Sequence, residues 1–279
     1  AFAAHQGHKA AALEKLYSQD AQLPFDVQAE LQSISERGIN HIVFIPDYDF
    51  MMVPWTLFVR NNMPNAPHVA TVSSSLTSFS IALNNSKAEK QTIYVAQAPG
   101  SENLSLPSFD TLMPVPQQTG NAFQAQQPHI RQADLIHLDV TTSWNDVNPS
   151  LSRIQFDIRD SAPASMSVND LYSLRSGKGS HFTLTIMDND SLDSADAFIA
   201  WERAFLFSDV SSFLLLSSSS PDTLIDFYDN FYDAILNMPA SRAFRTAETY
   251  LPLHTKHAQL YGVGGVPERL AERPLAQSV

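Results

Sequence analysis

Five short runs of mainly apolar residues, separated by stretches of helical period, restrict what this chain can fold into. They are His41 to Pro46, Thr92 to Ala98, Ala133 to Val140, Phe182 to Asp188 and Val210 to Leu216. Runs that lack a consistently polar face are buried on both faces, and that is the habit of parallel strands with helices above and below. Helical segments are expected at 26–37, 117–127, 168–174, 194–207, 221–236 and 240–250. Phe25, Leu31 and Ile34 give the first of these an apolar stripe, and Gly38 is a plausible stop. Strands alternating with helices predict an α/β fold, a mostly parallel sheet flanked by helices on both faces. A last short strand is expected at 260–263, hairpin material at 144–164, and a loop over most of the Pro-, Gln- and Ser-rich stretch 101–128. No repeat of 20–50 residues is visible. The expectation is one domain over 1–279, with residues 1–25 a helical lead-in and 264–279 a flexible tail.

The 279 residues are 44% hydrophobic, enough for a large core, and only 16% charged, too few for long disordered or coiled-coil stretches. A net charge of −12 argues against nucleic acid or an anionic membrane as the main partner, since both need a basic surface. No signal peptide and no 18-residue apolar run are visible in these 279 residues. With no cysteine, disulfides, thiolate zinc sites and cysteine nucleophiles are excluded together. The compartment stays open, with the cytoplasm favoured. The chain starts without methionine in a helix-like stretch, Ala10 to Tyr17, and reads as a trimmed or partial sequence.

Several segments, taken in order, are similar to those of a known family. Ile42-Val-Phe-Ile-Pro-Asp-Tyr-Asp-Phe-Met-Met-Val-Pro-Trp-Thr-Leu57 looks like a strand followed by a Leu-Pro-(Phe/Trp)-x-x-Leu turn. Val72-Ser-Ser-Ser-Leu76 is similar to a Pro-Ser-Leu stretch, with serine in place of proline. Ala204-Phe-Leu-Phe-Ser-Asp-Val-Ser-Ser-Phe213 looks like Ala-Phe-Leu-x-Ala-Gly-Ala-x-x-Val, and Phe227 to Leu236 like a Phe-Tyr-x-x-Leu helix. From about residue 26 to 265 the chain resembles the CHAT domain, a caspase-like family often found after helical tetratricopeptide repeats.

In that family the third strand ends His-x-x-x-His-Gly and the fourth ends Ser-Ala-Cys. The resemblance puts His137 at the first histidine, Thr141 at the catalytic histidine and Thr142 at the glycine. Asp188, Asn189 and Asp190 take Ser, Ala and Cys. The 49 residues from 141 to 190 fit the roughly 50 between histidine and cysteine in caspase-type chains. The chemistry needs a thiolate, a histidine to raise its population and protonate the leaving amine, and amide donors for the oxyanion. Thr141 cannot act as a base near neutral pH, and Asp190 is a poor nucleophile toward an amide. The carboxylates of Asp188 and Asp190 would repel a developing oxyanion. The resemblance therefore implies a caspase-like domain that has lost its peptidase dyad.

Other features have sharper and plainer readings. His137, Asp139 and Thr141 alternate onto one strand face. They could line the old cleft with Asp190, but a buried strand histidine bonded to a neighbour is the favoured account of His137. Asp188, Asp190, Asp193 and Asp196 have the clustered carboxylates of a calcium loop, yet they lack the EF-hand glycine and terminal glutamate, so a solvated acidic loop is favoured and no metal or cofactor is expected. Ser217 to Ser220 lack a Gly-x-Ser-x-Gly elbow. Arg175 to Gly179 falls short of a P-loop. Phe205, Phe207, Phe213, Phe227, Tyr228, Phe231 and Tyr232 are expected in the core and on helix faces.

The expected activity is not catalysis but protein recognition or regulation. His137, Asp139, Thr142, Asp188 and Asn189 are the candidate cleft residues, and Thr141 and Asp190 the degenerate dyad positions. The expected partner is a protein or peptide, a basic segment or the domain's own repeat region, not nucleic acid or membrane. Two alternatives stay open: a hydrolase with a rebuilt serine- or metal-based site, and a structural cap on a helical repeat array.

Overall fold

A computed structural model describes residues 25–37, 39, 41–46, 51, 53, 55–62, 69–85, 91–98, 104, 106, 108–114, 122–145, 147–158, 163–174, 179–187, 195–218, 221–252 and 257–262. Among them ten strands form one sheet: β1 (His41–Phe44), β2 (Val69–Val72), β3 (Thr92–Ala96), β4 (Asp110–Leu112), β5 (Leu135–Ser143), β6 (Arg153–Phe156), β7 (Ala164–Ser167), β8 (Ser180–Ile186), β9 (Val210–Ser217) and β10 (His257–Gly262). The order across the sheet is β1-β2-β10-β9-β8-β5-β3-β4, with β6 on the end of β5 and β7 on β6. The helices are α1 (Phe25–Glu36), α2 (Trp55–Asn62), α3 (Leu76–Asn84), α4 (Ala122–Gln132), α5 (Val168–Leu174), α6 (Ala195–Phe207), α7 (Ile225–Ile235) and α8 (Ala240–Ala247). The fold is α/β with a mostly parallel sheet, as the alternation of strand and helix predicts.

The sheet is two parallel blocks of opposite direction. β4, β3, β5, β8 and β9 run one way. β1, β2 and β10 are parallel to one another, and β10 meets β9 antiparallel, from His257↔Ser217 to Gly262↔Ser212. The strand C-termini therefore lie on both rims of the sheet.

Strand alternation splits the core into two layers. On one face Ile136, Leu138, Val140, Phe182, Leu184, Phe213 and Leu215 pack with Phe198, Trp201 and Phe205 of α6 and Phe123 of α4. On the other, Ile93, Val95, Leu135, Leu214 and Leu216 pack with Phe227 and Phe231 of α7 and Phe244 of α8. Each phenylalanine buried this way contributes roughly 2–3 kcal/mol.

Several boundaries differ from those expected, each for a local reason. β2 and α3 fall on a stretch for which no strand or helix was expected. Ser75 caps α3 by accepting the Ser78 N–H at 3.0 Å, and the helix packs on α6 and β9, which offsets its poor Ser/Thr propensity. α4 continues through Pro128, where the expected helix stopped at 127. Pro128 and Gln124 are both exposed, so the carbonyl that loses its N–H partner is on the wet side. β5 runs three residues past the expected end because β6 pairs with Val140 to Ser143. β8 ends at Ile186, two residues early, and β4 was not foreseen. The helix-like stretch Ala10 to Tyr17, the tail from 264 and residues 175–178 lie outside the described residues.

Asp209, in the turn from α6 to β9, has φ 68°, the left-handed region that glycine enters most readily. Neighbouring Ser208 hydrogen-bonds the Leu171 carbonyl, and Asn85 donates to the carbonyls of Leu206 at 2.9 Å and Val210 at 3.2 Å, so the turn is held from two sides.

Candidate functional site

β3 sends the chain to β4 on one side, whereas β5 sends it through the β6–β7 hairpin and α5 to β8 on the other. The direction of winding changes between β3 and β5, and the crevice at their C-terminal ends is where open α/β sheets bind ligands. The register brings the ends of the neighbouring strands to the same rim. Asp139 stands beside Thr185 and Val140 beside Ile186, the Met187 N–H donates to the Val140 carbonyl at 2.9 Å, and the Ser218 N–H donates to the Ile186 carbonyl at 3.0 Å.

His137 and Asp139 face inward under α7 and are buried. His137 Nδ1 is 2.8 Å from the Tyr232 hydroxyl, and the Tyr228 ring stands edge-on at 4.7 Å. On the other side of the ring, Nε2 lies 3.4 Å from Asp139 Oδ1, longer than a good hydrogen bond. Neither of these two atoms has a hydrogen-bond partner within bonding distance. Asp139 Oδ2 accepts the Ala98 N–H at 2.9 Å, tying the end of β3 to β5. Burial pushes the Asp139 carboxyl up, but the adjacent His137, the Ala98 N–H and the Thr185 hydroxyl outweigh it and hold the carboxyl below its usual range. Thr185 is also hydrogen-bonded to the Tyr228 hydroxyl. Burial, then the Asp139 charge, holds the Tyr228 phenol well above its usual range, so it stays protonated and available as a donor.

This polar row extends along the same face. His181 Nδ1 is 2.8 Å from Ser212 Oγ, with the Phe231 ring against it. The row was visible in β8 as His181-Phe-Thr183-Leu-Thr185-Ile, polar at every second position. Reading that run simply as a buried strand missed that its inward face is polar, and missed Thr183, Thr185, Tyr228 and Tyr232 as the neighbours of His137 and Asp139.

Thr141 follows His137 and Asp139 in the alternation but has passed the end of the helical cover, and it is exposed opposite Gln155. The expected face therefore unites His137 with Asp139 but not with Thr141. Thr142 is half-buried on the opposite face, its hydroxyl shielded and without a hydrogen-bond partner, as is Nε1 of Trp144. Asp188, Asn189 and Asp190 lie outside the described residues, as do Ser219, Ser220 and Asp193. Among the described residues no group of three or more His, Asp or Glu could hold a metal, and no helix is long and apolar enough to cross a membrane. Of the aromatic set, Phe207 is the exposed one, on the surface of α6 at its end, beside Tyr172.

A second buried carboxylate lies on the other rim. Glu202 of α6 accepts the Ser74 N–H at 2.9 Å and the Ser73 hydroxyl at 3.2 Å, just before α3. Burial holds its carboxyl above the usual range despite these bonds and the nearby Arg203 charge.

The chain matches no protein-family model and no curated protein.

Proposed function

We propose that this chain is a caspase-like domain of the CHAT type that has lost its peptidase dyad and acts by holding a protein or peptide segment. The observation that carries the reading is the pairing of β5 with β8. The resemblance assigns the two dyad positions to the ends of these strands, 49 residues apart in the chain. The strands are parallel neighbours whose ends share the switch-point rim. A second point supports the same alignment: Asp209, which takes the family's glycine position, has the left-handed backbone that favours glycine.

The rim offers poor means of hydrolysing an amide. The chain has no cysteine, and the histidine position is Thr141. His137 and His181 are buried in hydrogen bonds to Tyr232 and Ser212, away from any substrate at the rim. A shaped sheet edge keeps affinity for an extended chain after its chemistry is gone. With a net charge of −12 and Asp188 and Asp190 following β8 in sequence, a basic segment is the complementary partner.

The test is exposure of the purified protein to a diverse peptide library, with cleavage and retention read separately. No cleavage, together with retention of a lysine- or arginine-rich subset that weakens on Asp190→Arg, is the expected result. Cleavage that disappears in His137→Ala or Asp190→Ala would overturn the reading in favour of a rebuilt active site.

A further inference from the structure

The crevice between β3 and β5 is where an open α/β sheet would offer donors to a ligand's negative group. Here three groups surround one buried carboxylate. The Ala98 N–H reaches Asp139 Oδ2 at 2.9 Å, His137 Nε2 faces Oδ1 at 3.4 Å, and Thr185 lies beside Asp139 in the register of β5 and β8. They come from the end of β3, from β5 and from β8, and the carboxylate is almost wholly withdrawn from water. An isolated carboxylate so placed would be very costly, so the donors are what make the position tenable.

We infer that this crevice is an anion site filled by the chain's own side chain, with Asp139 standing where the carboxylate of a ligand would otherwise bind. Tyr232 on Nδ1 fixes the imidazole so that Nε2 points into the site. In the native protein the site is therefore closed to external acids. A partner must dock farther out, beyond Thr141, and an acidic group on it finds no free donors in the crevice. The site takes small carboxylates as a class, and truncating Asp139 vacates it without removing the donors.

The experiment is rescue of Asp139→Ala by sodium formate, read as the urea midpoint against sodium chloride at equal ionic strength and against neutral formamide. Formate is expected to raise the midpoint of Asp139→Ala alone. Above its Kd, each tenfold step in formate should raise the folding constant about tenfold. The native protein and the double variant His137→Ala/Asp139→Ala should not respond to formate beyond chloride. If Asp139→Ala does not fold in chloride, refolding yield in formate is read instead, and recovery supports the site. No recovery, an equal response to chloride or formamide, or the same rise in the native protein overturns the inference. Peptide retention by the native protein is measured separately, so failure of rescue and failure of partner binding are distinguishable.

Discussion

His41 gives a direct test of how the sheet's outer block is packed. It lies on β1, with Nε2 3.0 Å from the Thr71 hydroxyl on β2. Burial pushes its imidazole from an ordinary 6.5 down to about 4. A folded value below the unfolded one means that the unfolded chain takes the proton first. Stability from this residue is thus intact above 6.5 and is lost as pH falls toward 4, where the loss levels off. At 1.36 kcal/mol per pH unit the full loss is about 3 kcal/mol, with about 2 kcal/mol gone by pH 5 and almost none at pH 7. His41→Gln keeps a group able to bond Thr71 but removes the titration. Urea midpoints of both proteins, taken from pH 7 to pH 4.5, give a difference curve from which carboxylates common to both cancel. The variant should gain on the native protein by about 2 kcal/mol between pH 7 and pH 5. A flat difference curve would mean that His41 protonates freely in the folded chain and that β1 does not hold it out of water.

Three further outcomes follow from particular contacts. Asp139→Asn keeps an acceptor for the Ala98 N–H but removes the buried carboxylate that His137 and Thr185 face, and should cost about 1–3 kcal/mol at neutral pH by urea denaturation. Because the Asp139 carboxyl is held low, its contribution is full above the ordinary carboxylate value near 4 and fades as pH falls through the folded value, so the gap between variant and native protein should narrow in acid. Asp209→Gly should raise stability by about 0.5–1 kcal/mol and Asp209→Val should lower it by about 1–2 kcal/mol, since only the backbone at φ 68° is at issue; a thermal melt in which both variants fall would refute this. Gly262→Ala would put a Cβ 2.5 Å from the Ser211 carbonyl oxygen at φ 84°, and should cost at least about 2 kcal/mol, with faster hydrogen exchange in β10 than in β8.

The strands that were legible are those with continuous apolar runs long enough to stand out, β5, β8 and β9 above all. β2 was not, because Val69-Ala-Thr-Val72 is four residues long and is followed by Ser73-Ser-Ser75, which reads as loop until the cap and the Glu202 carboxylate give those serines partners. Alternation of strand and helix also carries no sign, so nothing in the sequence told that β1, β2 and β10 run against β3, β4, β5, β8 and β9. At the site, His137 and Asp139 were found by their spacing along one strand. Tyr232 and Ala98 were not, because their contacts span 95 and 41 residues and depend on how α7 and β3 dock. Thr141 was grouped with them by period alone, which says which way a side chain points but not where its cover ends.

β10 sits between β2 and β9, and it is the only strand among the described residues that joins the two blocks of the sheet. Val72 meets Tyr261 across 189 residues of chain. During synthesis the segment carrying β1 and β2 leaves the ribosome well before β10 and must wait for that strand before it can join the rest of the sheet. Until then its hydrogen-bonding edge and the apolar sides of Val69 and Val72 stay open, the condition in which chaperones engage a nascent chain and neighbouring copies cross-pair. Closure by so distant a contact also slows folding. Translation speed over β10 should therefore influence yield more than speed over any of the described strands before it.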